Sequence, residues 1–220
     1  IVDDITYITE PFFQDGLVAR AVDSVTSKGV SYFTAAGNYG DKSYEAMFSP
    51  VDPPSGFTGK AHDFGGGNVY QKLYLPAGTY TIVLQWDDSI YSLGQLPGAK
   101  NDFDFYLFDS DTSRLFGFNR QNNWGDPIEV MPFTVTNPVN AYIMITRTWG
   151  NDLMKFKYIV FRGEGQILDN VSSQNSTVVG QSNAESAITV GAVLYTNTPD
   201  YGVSPPTVAS FSSRGSMEVR

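Results

Sequence analysis

Residues 56–165 of this 220-residue chain set the tightest limit on its architecture. Aromatic and β-branched runs follow one another there, broken by Gly, Pro, Asn and Asp. Almost no stretch repeats its apolar residues at the three- and four-residue spacing of a helix. Strand candidates run over 69–75, 79–86, 103–108, 129–135, 141–148 and 156–162, with turn chemistry at Pro76-Ala77-Gly78 and across 119–126. Short strands at this spacing predict a jelly-roll or immunoglobulin-sized β-sandwich.

The sequence on either side reads differently. Residues 1–6 form a short apolar strand candidate. Across 14–28, Leu17, Val18, Ala21, Val22 and Val25 fall at helical spacing, with Asp15 placed to cap the helix and Gly29 to stop it. The next strand, 30–36, ends abruptly in Gly37-Asn38, and strand, helix and strand with short joints predict a right-handed parallel βαβ unit. After a polar stretch, 172–183, the run from Ala187 to Val193 reads as a strand buried on both faces. The expected fold is a partial α/β parallel-sheet domain made by the flanks, 1–55 and 166–220, with an all-β sandwich or jelly-roll domain, 56–165, inserted into one of its loops. Both ends read as the interior of something larger, Ile1-Val2-Asp3-Asp4-Ile5 opening in mid-strand and Phe211 to Gly215 leading into a turn.

Charge narrows the partners. With 23 acidic and 14 basic residues the formal charge is −9, which repels a phosphate backbone or an anionic membrane and argues against nucleic-acid binding. No apolar run reaches the roughly 18 to 20 residues of a membrane helix. The absence of cysteine excludes disulfides, thiolate metal sites and a cysteine nucleophile.

Three segments carry a family resemblance: Val30 to Asn38, ending Ala-Ala-Gly-Asn; Asn183 to Val193, ending Ile-Thr-Val-Gly-Ala-Val; and Ala209-Ser210-Phe211-Ser212-Ser213-Arg214-Gly215. In this order they resemble the subtilisin-like serine proteases, and the likeness covers the flanks, about half of the chain. The resemblance implies a secreted or cell-surface endopeptidase acting on polypeptide substrates by a Ser-His-Asp mechanism, with no cofactor required. It assigns Asn38 to the oxyanion hole, where a neutral amide fixed at a strand end stabilises charge that appears only in the transition state. It places Gly37, Ile5 and Thr6 at the substrate-binding wall, although Thr6-Tyr7-Ile8 departs from the family's Ser-Leu-Gly pattern.

The triad itself is not found in these residues. Such catalysis needs a serine, a histidine to take its proton and a carboxylate to orient the histidine. The one histidine, His62, lies in the inserted zone without the family's His-Gly-Thr context, and reads as a surface or sandwich residue. Ser216-Met217 lacks the rest of the Gly-Thr-Ser-Met-Ala nucleophile segment. The resemblance implies an acid and a base upstream, a nucleophile downstream, and a chain that is inactive alone.

Within the insert, Asn101 to Asp109 resembles a strand of the pre-peptidase C-terminal-like sandwiches of secreted bacterial peptidases. Asp102, Asp104 and Asp109, with Asp87, Asp88 and Asp111 nearby, make calcium a candidate ligand, against the simpler reading of a solvated acidic face. Trp86, Tyr91, Phe116, Phe118, Trp124 and Trp149 read mostly as core; the loop subset Phe116, Phe118 and Trp124 among asparagines could instead form a stacking platform for sugar or an extended polypeptide. Asn170-Val171-Ser172 and Asn175-Ser176-Thr177 match glycosylation sequons. The sandwich is expected to shape substrate access or bind a partner. The alternative is a non-catalytic binding or adhesin-like module, calcium- or carbohydrate-binding, with degenerate protease flanks.

Overall fold

The structure, a computed structural model, describes residues 1–109, 113–169 and 176–215. In chain order its elements are β1 (Val2–Asp3), α1 (Leu17–Thr26), β2 (Phe33–Ala35), β3 (Ser43–Met47), β4 (Pro50–Val51), β5 (Lys60–His62), β6 (Gln71–Leu75) and β7 (Gly78–Trp86). Then follow β8 (Asp102–Phe108), β9 (Arg114–Phe118), β10 (Ile128–Val135), β11 (Val139–Trp149), β12 (Lys155–Arg162), β13 (Gln166–Ile167) and β14 (Ile188–Val190). Two compact units result, residues 1–41 with 174–220, and residues 42–173. The junctions differ from those expected, because β3 pairs along its whole length with β12, and β13 pairs with β6, so both belong to the second unit.

In the first unit β1 and β14 each pair in parallel with β2, placing Val2, Phe33 and Ile188 in one row and Asp3, Thr34 and Thr189 in the next. Ala19 and Val22 of α1 bury against Tyr32 and Ala184. The helix starts at Leu17 rather than Gln14, and Asp15 does not cap it. Glu10 does: its Oε1 accepts the N–H groups of Val18 (2.9 Å) and Ala19 (3.0 Å), putting a carboxylate on the positive end of the helix dipole. Gly16, the N-cap, has no side chain because a Cβ there would lie 2.5 Å from that carboxylate. At the other end Gly29 turns at φ +84° and lets Val30 N–H reach back to the Val25 carbonyl.

The second unit is sandwich-like. One antiparallel sheet runs β10-β7-β12-β3. In the other, β11 is central: β8 and then β9 lie on one side, and β6 and β5 share the other edge, extended by β13 and β4. Alternation along the strands sends Tyr80, Ile82, Leu84 and Trp86 of β7 against Phe103, Phe105 and Leu107 of β8 in a continuous core. Among the described residues no helix is long and apolar enough to cross a membrane.

This overturns the expected class. The chain is mainly β, built on antiparallel sheets, and the flanks do not amount to an α/β parallel-sheet domain. Among the described residues, parallel pairing is confined to strands of two, three and three residues beside one ten-residue helix. Nor is β14 buried on both faces: Ile188 and Val190 are exposed at 47% and 55%. Its apolar run satisfied the sequence criterion for a doubly covered strand, but only the face toward Thr34 and Ser182 is occupied.

Candidate functional site

Three segments distant in sequence, 30–38, 183–193 and 209–215, come together in the first unit. β2 delivers the chain to Ala36, whose N–H donates to the Val190 carbonyl (3.0 Å). Gly37 then turns at φ +87°, where a Cβ would meet the Tyr39 ring at 2.7 Å. Residues 209–215 grip this turn. Ser213 N–H donates to the Gly37 carbonyl (2.8 Å), Tyr39 N–H to Ser213 Oγ (3.0 Å) and Gly40 N–H to the Phe211 carbonyl (3.1 Å). Ser212 Oγ accepts from Ala192 N–H (3.0 Å), tying the same segment to the residues after β14. Asn38 stands within this clamp and is exposed.

Polar groups beneath fix the strand ends. Asp3 accepts from Thr34 Oγ1 (2.6 Å) and from the Tyr32 hydroxyl, Ser182 Oγ donates to the Ala35 carbonyl (2.9 Å), and Thr189 Oγ1 donates to the Ser182 carbonyl (2.6 Å). Burial and the Asp3 carboxylate hold the Tyr32 hydroxyl neutral, its pKa raised well beyond the usual phenol range. Ile5 is exposed, with its carbonyl taken by Gln181 Nε2, and Thr6 hydrogen-bonds the Tyr39 hydroxyl, whose pKa burial raises. Ile5, Thr6, Gly37 and Asn38 thus all lie just beyond the carboxyl ends of β1 and β2, the end of a parallel sheet at which ligands bind. A cavity of about 270 Å³ opens at Ala36, the residue before Gly37, lined also by Ser182, Asn183, Thr189, Ser213 and Gly215. Its hydroxyls and amide suit a neutral polar chain, and none can serve as a general base. The contributions of Asp3 and Ser182 carry no sequence signal beyond small polar residues at strand ends.

His62 is buried at the sandwich core. Its Nδ1 accepts Ser49 N–H (3.1 Å), so its Nε2 carries the proton toward the Tyr44 hydroxyl (3.1 Å). Burial pushes its pKa down to about 4, keeping the ring neutral and committed to packing.

The proposed calcium set does not come together. Asp102 and Asp104 lie in the first half of β8, while Asp109 follows its far end, roughly 23 Å from Asp102 and roughly 17 Å from Asp104 at ~3.3 Å per residue. Asp109 there accepts Ser113 N–H (2.9 Å) in the β8–β9 hairpin. Asp88 is occupied by the N–H groups of Lys100 (2.8 Å) and Asn101 (2.9 Å). Among the described residues no group of three or more His, Asp or Glu is placed to hold a metal ion. Sequence reasoning missed Glu129 on β10, whose Oε1 accepts Arg120 N–H (2.9 Å) and whose Oε2 has no donor. Burial pushes Glu129 up to about 8 and Asp104 up to about 7, the latter helped by the neighbouring Asp102 charge.

The aromatic platform is arranged otherwise than expected. Phe116 stacks on Phe133 (5.7 Å) and Phe118 packs against the core, so neither joins Trp124. Trp124 instead meets Trp149 edge to face at 5.1 Å, and both are exposed, as is Tyr91. Asp111, Asn170, Asn175 and Ser216-Met217 lie outside the described residues.

No protein-family model matches the chain, and no curated protein matches it in sequence. Among solved structures it is similar to the CspB protease of Clostridium perfringens, with a TM-score of 0.51 and 13% identity over 94% of this chain and 44% of that one. The likeness is one of fold. This chain spans less than half the length of that protease. Infectious bursal disease virus structures match more weakly, the Gx strain at a TM-score of 0.23 and 10% identity over 58% of this chain and 31% of that one. The VP2 subviral particle scores 0.24 at 11% identity, over 66% and 43%.

Proposed function

We propose that the first unit is the oxyanion-hole half of a subtilisin-like serine endopeptidase, belonging to a secreted or cell-surface protein longer than these 220 residues. The observation that carries this reading is the clamp at the end of β2: an exposed Asn38 on a turn held by Ser213, with Ile5 and Thr6 beside it at the same strand ends. Such a clamp suits an amide that must meet a developing oxyanion without reorganising. The fold likeness to a clostridial protease supports the same assignment. Polypeptide is the substrate, bound at Gly37, Ile5 and Thr6; nucleic acid is not a partner, and the chain does not insert into a membrane. The sandwich shapes access to the cleft, and the serine, its histidine and the orienting acid come from elsewhere in the longer protein.

A fluorophosphonate probe, which labels only an activated serine, tests this. The full open reading frame should be labelled and should hydrolyse casein, and Asn38→Ala should lower kcat by about 10²–10³, the loss known for such a donor in a subtilisin. The 220-residue chain alone should be neither labelled nor active. An unlabelled full-length protein, or an unchanged kcat in the variant, removes the proposal.

A further inference from the structure

We infer that the sandwich binds a neutral glycan chain at the Trp124–Trp149 corner. This concerns the second unit and stands independently of the proteolytic reading. Two unrelated backbone irregularities aim these indoles outward. Trp124 is the only non-glycine residue with a positive φ (68°) among the described residues, a conformation that L side chains adopt under strain. Trp149 ends β11 just past a bulge, where the register against β8 shifts between Arg147 and Trp149. The outcome is an edge-to-face pair at 5.1 Å and 66°, with 49% and 39% of the two residues in solvent.

The strain is held in place by its surroundings. Trp124 N–H donates to the Ala99 carbonyl (2.7 Å), Ala99 N–H to the Gly125 carbonyl (2.9 Å) and Gly125 N–H to the Asn122 carbonyl (2.8 Å). Gly98 allows this approach, since a Cβ there would lie 2.6 Å from Trp124 backbone atoms.

The surrounding chemistry selects the ligand. Gln121, Asn122 and Asn123 precede Trp124, and Gly150 and Asn151 follow Trp149, all uncharged. The nearby carboxylates are occupied within the scaffold: Asp102 accepts Asn122 N–H (3.0 Å), Asp126 accepts Ser92 N–H (2.8 Å) and Asp152 accepts Asn101 Nδ2 (3.1 Å). Asn122 faces inward, its Nδ2 donating to the Asp126 and Ile128 carbonyls (2.9 Å each), whereas Gln121 and Asn151 are exposed and present their amides to solvent near the two indoles in sequence. Indole faces take the C–H faces of pyranose rings, amides take hydroxyls, and a chain of charge −9 repels polyanionic sugars.

Tryptophan emission reads the outcome directly, because Trp86, the third indole of the chain, is buried. The 220-residue protein is titrated with chitohexaose and cellohexaose, with a heparin hexasaccharide and gelatin as anionic and polypeptide comparisons. A saturable emission shift with at least one neutral hexasaccharide is expected, and Trp149→Ala should weaken it by roughly tenfold or more, the equivalent of one aromatic contact. Trp124→Gly should abolish it while leaving Tm unchanged or raised, because glycine adopts this φ without strain; a merely structural tryptophan would lower Tm instead. No shift with either neutral sugar, a response to heparin or gelatin alone, or undiminished binding in both variants overturns the inference.

Discussion

Glu10 and Asp15 show how far single residues can be read. Asp15 sits where a local cap belongs, yet the cap is Glu10, brought back by Pro11 and the buried Phe12 and Phe13, a contact that no local pattern encodes. The turn at Gly37-Asn38 was legible because glycine and asparagine after an apolar strand are turn chemistry, whereas the part played by Ser182 comes from Ala35, 147 residues away. The buried titratable groups make stability depend on pH with a determinate sign. Glu129 and Asp104 have folded pKa values of about 8 and about 7, above the ordinary carboxylate range, so above pH 8 the fold carries the whole cost of their burial as anions. As pH falls below 8 the folded protein binds protons that the unfolded chain does not, and stability rises. Below 6.5 His62 works the other way, because the unfolded chain protonates a ring that stays neutral in the fold until about pH 4. Urea titrations should therefore show a gain of about 2 kcal/mol from pH 8 to 6.5, most of it absent in Glu129→Gln. A flat profile in the unmodified protein would contradict this assignment of protons.

Among elements, length and alternation decided what could be seen. The strands β6, β7, β8, β10, β11 and β12 run five to eleven residues, and each overlaps a stretch whose composition predicts a strand. β4, β5 and β13 have two or three residues, too few for a period to register. β3 was hidden differently: Ser-Tyr-Glu-Ala-Met is mixed polar and apolar, and its Glu45 meets Lys157 directly opposite on β12, at 2.9 Å. Lys157 is fully buried, which lowers its pKa to about 8. Removing one member leaves the other charge uncompensated, so Lys157→Met should cost about 3 kcal/mol, whereas the double variant Glu45→Met/Lys157→Met should lie within about 1 kcal/mol of the parent. Additive losses across this cycle would mean that the pair does not act as a pair.

At the scale of the molecule, the sequence separated a β-rich insert from its flanks but overstated the flanks as an α/β domain, because short parallel strands and long ones share the same apolar lettering. The two units should also differ in thermal resistance. The first buries Ala19, Val22, Tyr32 and Ala184 in its helix-side cluster and leaves Val2, Phe33 and Ile188 exposed, whereas the sandwich encloses Trp86, Phe103, Phe105 and Phe156. All three tryptophans lie in the sandwich, and the helix α1 lies in the first unit. On heating, the helical circular dichroism should disappear below the temperature at which tryptophan emission changes; coincident transitions would show one cooperative block. The grip of Ser213 on Gly37 also has a bearing on biosynthesis. Emerging from the ribosome, the turn that presents Asn38 waits for its fastening until the whole sandwich has been translated, so this corner is among the last to be set. The long tether adds little entropy to that closure, since each doubling of a loop costs only about 0.6 kcal/mol, and a nascent chain halted inside the sandwich holds the asparagine on an unfastened strand end.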